Sequence, residues 1–402
     1  MKETLIYVAG EEIFVRDGER RIALRSSTAE KYRTKLRAEA SRKEWKTKGE
    51  SAMFQGTFDP SADVETRLAN LSCRITDAGR WKNDILYAMN LDGAGSIFRR
   101  SGVRSAVEGI VLGDGRYCYE HFDLKGDEMV LSARLGAESH IATLTLPESG
   151  CEFLTDGHTV DREPVFSKTE DGVIYFSSAG LPAQDGEEAP SSHGGGIPGM
   201  WQRMEEMHAP EVRGPSAILR MDTLTRVIDT VLESPDTDYL HPKTGKDGSL
   251  YYVKRPYAPV QGAQRGGCLR DIFLFPVRLF RALFGFLNFF SMRYSGDPLS
   301  AGNAKTKTEG QLFLDGNLIE AERALKENRK RGERNPGIIP RNWELHRKTP
   351  DGRDELVARC VLAYEIVEGG VVYSNGTHLI LKDGEGETVL DRVEKIRAIH
   401  AV

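Results

Sequence analysis

Cysteine is scarce in this sequence, and no secretory leader is visible. The 402 residues include five cysteines, an odd number, and no C-x-x-C pair. This excludes a disulfide-built scaffold and a zinc-ribbon site. Residues 1–12 contain no apolar stretch of signal-peptide length. We therefore expect a reduced, cytoplasmic environment.

The sequence also lacks a strong excess of charge of one sign. Fifty-five Lys and Arg stand against 60 Asp and Glu, which gives a formal charge of −5. A globally basic nucleic-acid-binding protein is therefore excluded, and we expect no nucleic-acid partner. Apolar residues make up 39% of the chain, which is enough to build a core and excludes wholesale disorder.

Motifs that carry catalysis are missing as well. The sequence contains no H-E-x-x-H, no Walker loop and no G-x-S-x-G elbow. The run G-G-G-I-P-G at residues 194–199 matches G-x-G-x-x-G formally, but it contains Pro and neither follows a strand pattern nor opens a helix pattern. The nine histidines are scattered. We expect no catalytic residues, no cofactor, no metal site and no enzymatic activity.

A short unit is repeated near the two ends of the sequence. Residues 5–18 (L-I-Y-V-A-G-E-E-I-F-V-R-D-G) align with residues 371–384 (V-V-Y-S-N-G-T-H-L-I-L-K-D-G). Each copy contains an apolar run, a glycine turn, a second apolar run and a D-G pair. A D-G pair between alternating apolar runs is a strong β-hairpin signal, because type I′ turns need positive φ at both central residues.

Similar strand starts occur within the chain. Six units are centred on tyrosines, and each is followed by a second apolar run: Tyr7, Tyr87, Tyr119, Tyr175, Tyr251 and Tyr373. No long amphipathic helix separates paired strands, so a parallel β/α sheet is not expected. Many short strands with regular turns predict an all-β fold, a closed six-bladed β-propeller with helical insertions on one face.

One segment resembles the TolB-like propeller family, which is WD-repeat-like in architecture. Residues 161–178 (D-R-E-P-V-F-S-K-T-E-D-G-V-I-Y-F-S-S) are similar to that family's D-x-x-P-x-F-S-P-D-G-x-x-I-Y-F-x-S signature, with residues inserted before Asp171 and one missing after Gly172. Residues 238–252 are a looser copy. The resemblance implies a fold and no activity, because the shared residues belong to turns and core.

The predicted domain is a single propeller over residues 1–402. The C-terminal stretch at residues 395–402 has no partner strand in its own unit, and the first unit begins with its second strand. We expect residues 395–402 to supply the missing inner strand of the first blade, which removes an exposed sheet edge. Seven blades remain an alternative if residues 51–75 contain a degenerate unit.

Three segments exceed the length of a blade: residues 26–70, 181–215 and 258–341. They fall between blades or between the second and third strands of a blade, so all three should project from one face. Residues 258–341 contain 14 Lys and Arg against 8 Asp and Glu, and residues 27–48 contain 8 against 3. The rest of the chain carries −16, so basic insertions on an acidic disc could turn this face toward an anionic surface. The alternatives are solvated helical faces and neutral variation in tolerant loops.

The most unusual stretch is residues 271–294, which hold seven phenylalanines. On helical spacing they form an amphipathic helix with a narrow, mostly polar stripe. A membrane span is disfavoured, because the segment leaves and rejoins the same blade and carries Arg278 and Arg281 near its middle. A helix lying in the membrane interface and a helix buried against the propeller or a partner protein both remain open. Downstream, residues 317–334 are predicted to form a basic helix.

The sequence therefore favours a non-catalytic interaction scaffold. We expect it to be peripherally associated with a membrane, at its inner face, or to dock to a membrane-bound partner through residues 271–294. The expected partner is an anionic lipid surface or another protein. The alternatives are a subunit of a soluble complex whose partner buries residues 271–294, and a ligand-binding or enzymatic propeller that uses the mouth of the central channel. The residues expected to insert or to meet anionic groups are Phe280, Phe284, Leu287, Phe290, Arg278, Arg281, Arg329, Lys330 and Arg331.

Overall fold

The computed structural model describes residues 3–47, 73–91, 93–113, 115–147, 150–181, 213–257, 311–314 and 317–402. These residues form an all-β fold in which antiparallel sheets are arranged like the blades of a propeller. The first sheet contains, in spatial order, β26 (Ile396–Ala401), β1 (Leu5–Ala9), β2 (Glu12–Asp17) and β3 (Arg20–Arg25). The second sheet contains β4 (Cys73–Trp81), β5 (Asp84–Leu91), β6 (Ala94–Arg100) and β7 (Glu108–Leu112).

An eight-stranded sheet comes next along the chain. Its strands are β8 (Cys118–Lys125), β9 (Glu128–Leu135), β10 (Glu138–Thr145), β11 (Glu152–Phe153), β12 (Thr159–Phe166), β13 (Val173–Gly180), β14 (Ala217–Asp222) and β15 (Ile228–Leu232). Paired strands within β8–β11 are antiparallel, and so are paired strands within β12–β15. Between β10 and β12 there is a single parallel pair, Ser139 with Val160, so the sheet is continuous there through one point only.

Two further four-stranded sheets complete the ring. One contains β16 (Thr237–Thr244), β17 (Leu250–Pro256), β20 (Glu344–Lys348) and β21 (Asp354–Arg359). The other contains β22 (Ala363–Val367), β23 (Gly370–Ser374), β24 (Leu379–Asp383) and β25 (Gly386–Asp391). A small two-stranded sheet, β18 (Gln311–Leu314) and β19 (Asn317–Glu320), lies in the connection from β17 to β20. The helices are α1 (Ser27–Thr47) and α2 (Ala321–Lys330).

The first strands of these antiparallel series contact one another in a closed circle. Along the circle, β26 contacts β4, followed by β8, β12, β16 and β22, and β22 contacts β26 again. Strand β26 is the element that completes it, because Leu5 pairs with Ala401 and Tyr7 with Ile399. The sheet edge of β1 is therefore covered by residues from the far end of the chain.

The core lies between neighbouring sheets. Alternate residues of each strand face the next sheet, as the two-residue period of a strand requires. Ile6, Val8, Ile13 and Val15 of the first sheet thus pack against apolar residues of the second, including Tyr87. Local turn chemistry matches the sequence: Asp17 pairs with Arg20 across a two-residue turn in which Gly18 has a φ of +57°.

Two predicted elements differ from the structure. Tyr119 was expected in the same position as Tyr7 and Tyr87, but it lies on β8, the first strand of its series, because β7 and β8 belong to different sheets and do not form a hairpin. The basic helix was expected over residues 317–334. The structure forms α2 only over Ala321–Lys330, because Asn317–Glu320 pair with Gln311–Leu314 as β19 and Gly332 turns the chain with a φ of +76°. Of residues 51–75, only the last three are described, at the start of β4.

Candidate functional site at the channel and the insertion face

A small cavity lies on the axis of the ring. Its wall contains residues from six strands, among them Asp77 (β4), His121 and Asp123 (β8), Glu163 (β12), His241 and Lys243 (β16), Tyr364 (β22), and Arg397 and His400 (β26). The volume open to a water-sized sphere is about 60 Å³. At about 10–15 Å³ for each water position, the cavity holds about four waters. Small-molecule sites usually measure about 300–1,000 Å³.

Irregular strand pairing turns these polar side chains toward the axis. The register shifts in β4, β8, β12, β16 and β26, in each case beside a residue that lines the cavity. A β-bulge of this kind bends the strand and re-aims a side chain. Glu163 and His241 also have positive φ values, 58° and 52°, which non-glycine residues adopt at a cost of about 1–3 kcal/mol. Both precede a proline, a residue that sheets accept at bulges.

The two strained residues form a contact between β12 and β16. Glu163 Oε1 lies 3.2 Å from His241 Nδ1, and Glu163 Oε2 accepts a 2.5 Å hydrogen bond from the His241 backbone N–H. Ser177 Oγ donates to the same oxygen at 2.8 Å. The Tyr364 hydroxyl donates to the His241 carbonyl at 2.6 Å. Their mutual contact, Ser177 on β13 and Tyr364 on β22 thus hold the Glu163 and His241 conformations.

Lys243 connects three strands on the other side of the cavity. Its Nζ lies 2.5 Å from Glu365 Oε2 on β22 and donates a 3.2 Å hydrogen bond to the carbonyl of Ile399 on β26. Burial favours the neutral form of Glu365, but the Lys243 and His400 charges outweigh it and hold the pKa of Glu365 below its usual value. The ion pair is therefore formed at neutral pH.

Asp77 and His400 join the strand that completes the circle to the second sheet. Asp77 Oδ1 lies 2.7 Å from His400 Nε2, and Asp77 Oδ2 accepts a 2.9 Å hydrogen bond from the Phe122 N–H. Burial opposes charge on both groups. Their mutual attraction outweighs it, so the pKa of His400 lies above its usual value and the pKa of Asp77 lies below its own. The His400 ring also stacks on Phe122 at a centroid distance of 6.3 Å.

Asp123 differs from the other carboxylates of the cavity. It accepts a 2.8 Å hydrogen bond from the Phe166 N–H, but burial dominates and raises its pKa above the usual value. His121 lies edge-on to His241 at a centroid distance of 6.0 Å. In the part of the chain that the structure describes, no three His, Cys, Asp or Glu side chains are grouped as a metal site. The cavity thus combines paired charges, one carboxyl with a raised pKa and room for about four waters.

Sequence reasoning missed these residues. Each lies on a first strand, as in T-D-A at residues 76–78, H-P-K at 241–243 and A-I-H at 398–400, but most of these strands also carry other polar residues. A usable signal exists only where the neighbours are apolar, as for His400 between Ile399 and Ala401, because a charged residue is rarely buried unless it is paired.

The three long connections begin and end on one face of the ring. In an antiparallel series of four strands, the link from the second to the third strand and the link to the next sheet lie at the same end of the strands. The connections from β3 to β4, β13 to β14 and β17 to β20 are all of these two kinds. We refer to this end as the insertion face.

Helix α1 is anchored by a buried carboxylate. Glu108 on β7 accepts hydrogen bonds from the N–H groups of Ser27 and Thr28, each at 3.0 Å, and from the Ser27 hydroxyl at 2.9 Å. Burial alone would raise the pKa of Glu108, but these donors hold it below its usual value. One helical turn later, Arg33 pairs with Glu11 at 2.5 Å, in the turn between β1 and β2 on the insertion face.

The described residues beside the other two insertions share one buried cluster. Arg213 lies near the end of the second insertion, and its guanidinium is 3.3 Å from Asp238. Arg255 lies 3.1 Å from the same carboxylate and 4.5 Å from the centre of the Trp343 ring. Tyr257, just before residues 258–310, donates a 2.5 Å hydrogen bond to the carbonyl of Arg213. We refer to Arg213, Asp238, Arg255, Tyr257 and Trp343 as the root cluster. It fixes the ends of both insertions to one point.

Helix α2 is fixed to the same face. The side chain of Asn328, 1% exposed, donates 2.9 Å hydrogen bonds to the carbonyls of Gly337 and Ile339. Ile339 is buried with Trp343 and Leu362. The predicted contact residues Arg329, Lys330 and Arg331 are exposed at the end of this helix.

The other predicted contact residues lie outside the described part of the chain: Arg278, Phe280, Arg281, Phe284, Leu287 and Phe290. Among the described residues, no helix is both long enough and apolar enough to cross a membrane.

Comparison with known proteins yields matches only among solved structures. No protein-family model and no curated protein matches the chain. The chain is similar to TolB from Acinetobacter baumannii, with 10% identity and a TM-score of 0.47 over 99% of this chain and 66% of that chain. It is similar to a putative TolB from Agrobacterium tumefaciens, with 11% identity and a TM-score of 0.42 over 81% and 88%.

A chain of the nidogen/laminin complex has a TM-score of 0.46 with 8% identity, over 99% of this chain and 98% of that chain. All three TM-scores are below 0.5, so the strand pairing described above carries the fold assignment. The likeness to TolB-like propellers is one of fold.

Proposed function

We propose that the protein is a six-bladed propeller that acts as a non-catalytic scaffold. The blade count takes the eight-stranded sheet as two blades, β8–β11 and β12–β15, which are joined through the single pair of Ser139 and Val160. Six first strands then surround the axis. A polar cavity of about 60 Å³, in which Glu163, Lys243 and His400 are engaged with partners, leaves little room for a substrate. The proposed function therefore depends on the surface of the molecule.

The working surface is the insertion face, and its partner is an anionic membrane surface on the cytoplasmic side. The observation that carries this proposal is the common placement of the long connections, together with rigid anchoring of both helices through Glu108 and Asn328. The exposed cations of α2 supply electrostatic attraction worth about 1 kcal/mol for each Lys or Arg near the lipid. The apolar residues of 271–294 supply insertion into the interface.

Flotation with liposomes of neutral and of anionic composition tests the proposal. The wild-type chain should float, and more of it on anionic vesicles. A variant with Ser at Phe280, Phe284, Leu287 and Phe290 should stay in the bottom fraction. A second variant, Arg329→Gln, Lys330→Gln and Arg331→Gln, should bind anionic vesicles about 100-fold more weakly, from the value of about 1 kcal/mol per charge.

A matched control removes three cations from the opposite face. Arg20, Lys246 and Arg353 are exposed and lie in or directly beside turns that join first to second or third to fourth strands. Their replacement by Gln should leave flotation unchanged. A wild-type chain that stays unbound on both kinds of vesicle contradicts the membrane proposal. Co-purification of a stoichiometric protein in that case would instead favour a partner that buries residues 271–294.

A second candidate function uses the channel. The convergence of His121, Asp123, His241 and His400 on one cavity favours a ligand of a few heavy atoms. Its test is a His121→Ala and His241→Ala variant in a thermal-shift screen of small ions and acids. Stabilisation of the wild type that the variant lacks would support the channel as a binding site.

A further inference from the structure

A groove lined by four arginines and three glutamates separates helix α2 from the sheet beneath it. One wall is α2, with Glu320, Arg323, Glu327 and the adjoining Arg331; the other wall contains Arg341, Glu344 and Arg359. Its volume is about 810 Å³, within the usual range of about 300–1,000 Å³ for sites that hold small molecules. Glu344 begins β20 and Arg359 ends β21, which places the groove on the insertion face.

The four guanidinium groups of the groove differ in whether they pair with a carboxylate. Arg323 lies 3.2 Å from Glu327, Arg359 lies 2.9 Å from Glu344, and Arg341 pairs with Glu333. Arg331 has no carboxylate within 4.0 Å among the described residues. It is exposed, and its backbone N–H closes the last turn of α2 on the Glu327 carbonyl. Among the described residues, the groove therefore contains one guanidinium without a carboxylate partner, Arg331, beside three guanidinium groups that are each paired with a carboxylate.

The walls of the groove are rigid. The Asn328 side chain, held by two carbonyls, fixes the last turn of α2, and Ile339 and Trp343 bury the return to β20. Binding of a ligand here does not require the helix to become ordered, so the backbone that carries the cations is preorganised.

Charge selects the ligand. A carboxylate can pair with Arg331, but to reach Arg323 or Arg359 it would have to displace Glu327 or Glu344, which are equivalent partners. A phosphomonoester carries about −1.5 to −2 at pH 7 and three strong acceptor oxygens. The phosphomonoester can accept two hydrogen bonds from the Arg331 guanidinium, and it can outcompete a single carboxylate at Arg323 or Arg359.

We propose that this groove binds the phosphomonoester headgroup of an anionic lipid, with Arg331 as its principal contact and Arg323 and Arg359 as secondary contacts. This inference rests on the proposed function, since it names the lipid group that the insertion face recognises. Lys246 supplies the control, because it is an exposed cation on the opposite face.

The test is calorimetric titration of the full chain with dibutyryl phosphatidic acid below its micelle concentration. Dibutyryl phosphatidylglycerol, a phosphodiester, and inorganic phosphate are titrated in parallel. The wild type should bind the phosphatidic acid saturably and at least tenfold more tightly than either comparison compound. Arg331→Gln should weaken that binding at least tenfold, and Lys246→Gln should leave it unchanged.

Three results overturn the proposal: no saturable binding of the short-chain phosphatidic acid, equal binding by Arg331→Gln, or equal affinity for inorganic phosphate. The last result would assign the groove to free phosphate. Matching unfolding curves for Arg331→Gln and wild type exclude misfolding, as expected for an exposed side chain.

Failure of the proposed function has a different signature. The variant with Ser at Phe280, Phe284, Leu287 and Phe290 should keep short-chain phosphatidic acid binding while it loses flotation. A wild-type chain that binds the short-chain lipid but does not float on vesicles containing phosphatidic acid would preserve the groove and refute membrane docking.

Discussion

Replacement of Asp238 by asparagine removes the centre of the root cluster. The Asp238 side chain is 1% exposed, and it lies between the guanidinium groups of Arg213 and Arg255, which are 6% and 0% exposed. Loss of one partner from a buried ion pair leaves an uncompensated buried charge and typically costs about 3–5 kcal/mol. We expect Asp238→Asn to reduce the free energy of unfolding by about that amount.

The assay is urea unfolding followed by tryptophan fluorescence and circular dichroism, with the free energy taken from the midpoint and slope. Asp247→Asn is the matched control. Its partner Arg347 is 32% exposed and Asp247 is 50% exposed, so this exposed pair should contribute about 1 kcal/mol or less. An Asp238→Asn cost no larger than that of the control would refute the argument that the cluster is buried and mutually compensated.

A double-variant cycle refines the same test. Arg255→Met removes one of the two cations that Asp238→Asn leaves without a carboxylate. The pair of substitutions should therefore be less costly than the sum of the two single changes, with a coupling of about 0.5–3 kcal/mol. Strict additivity would show that Asp238 and Arg255 do not share a charge interaction.

The remaining predictions concern the channel, helix α1 and the strand that completes the ring. The pKa of His400 is raised, so its pairing with Asp77 contributes stability that is complete below pH 6.5 and is lost as pH rises through the folded-state pKa. His400→Gln should therefore cost about 3 kcal/mol at pH 6 and less at pH 9 in parallel urea titrations; an equal cost at both values contradicts the linkage. Glu108→Gln should cost about 1–3 kcal/mol at pH 7, because it removes a buried acceptor of several hydrogen bonds. Since the pKa of Glu108 is lowered, the difference from wild type should shrink as pH falls through that pKa, and a constant difference from pH 7 to pH 3 argues against the anchor. Ile399→Ala, at a side chain 1% exposed on β26, should cost about 2–5 kcal/mol, whereas Val402→Ala, 40% exposed, should stay within about 0.5 kcal/mol. Equal unfolding midpoints for these two variants would mean that β26 contributes no core.

Local chemistry explains what could be predicted of the fold. The D-G turn at Asp17 and the apolar run that contains Tyr7 specify a hairpin through residues adjacent in sequence. The same local rule misplaced Tyr119, because an identical pair can also link two sheets, and only the neighbouring strands decide which. The start of α2 was misjudged for a similar reason: Asn317–Glu320 have a partner in β18, which helical spacing does not reveal.

The channel could not be predicted, since its contacts join distant residues. Asp77 and His400 are 323 positions apart, and Lys243 and Glu365 are 122 positions apart. In the sequence, each is one of several polar residues of its strand, and nothing marks it as part of a shared cavity. Only the fold decides that these charges face one axis and neutralise one another there.

Completion of the ring by β26 has a consequence for the order of folding. Most neighbouring strands lie close in sequence, so their sheets can form as the chain is made. The first sheet is different, because Tyr7 on β1 pairs with Ile399 on β26, which lies 392 positions later in the chain. Loop-closure entropy grows by only about 0.6 kcal/mol for each doubling of length, so this distance has little effect on final stability. It does affect the order of events, because the edge of β1 stays unpaired until nearly all other sheets have formed. Aggregation during synthesis is therefore expected before β26 docks on β1.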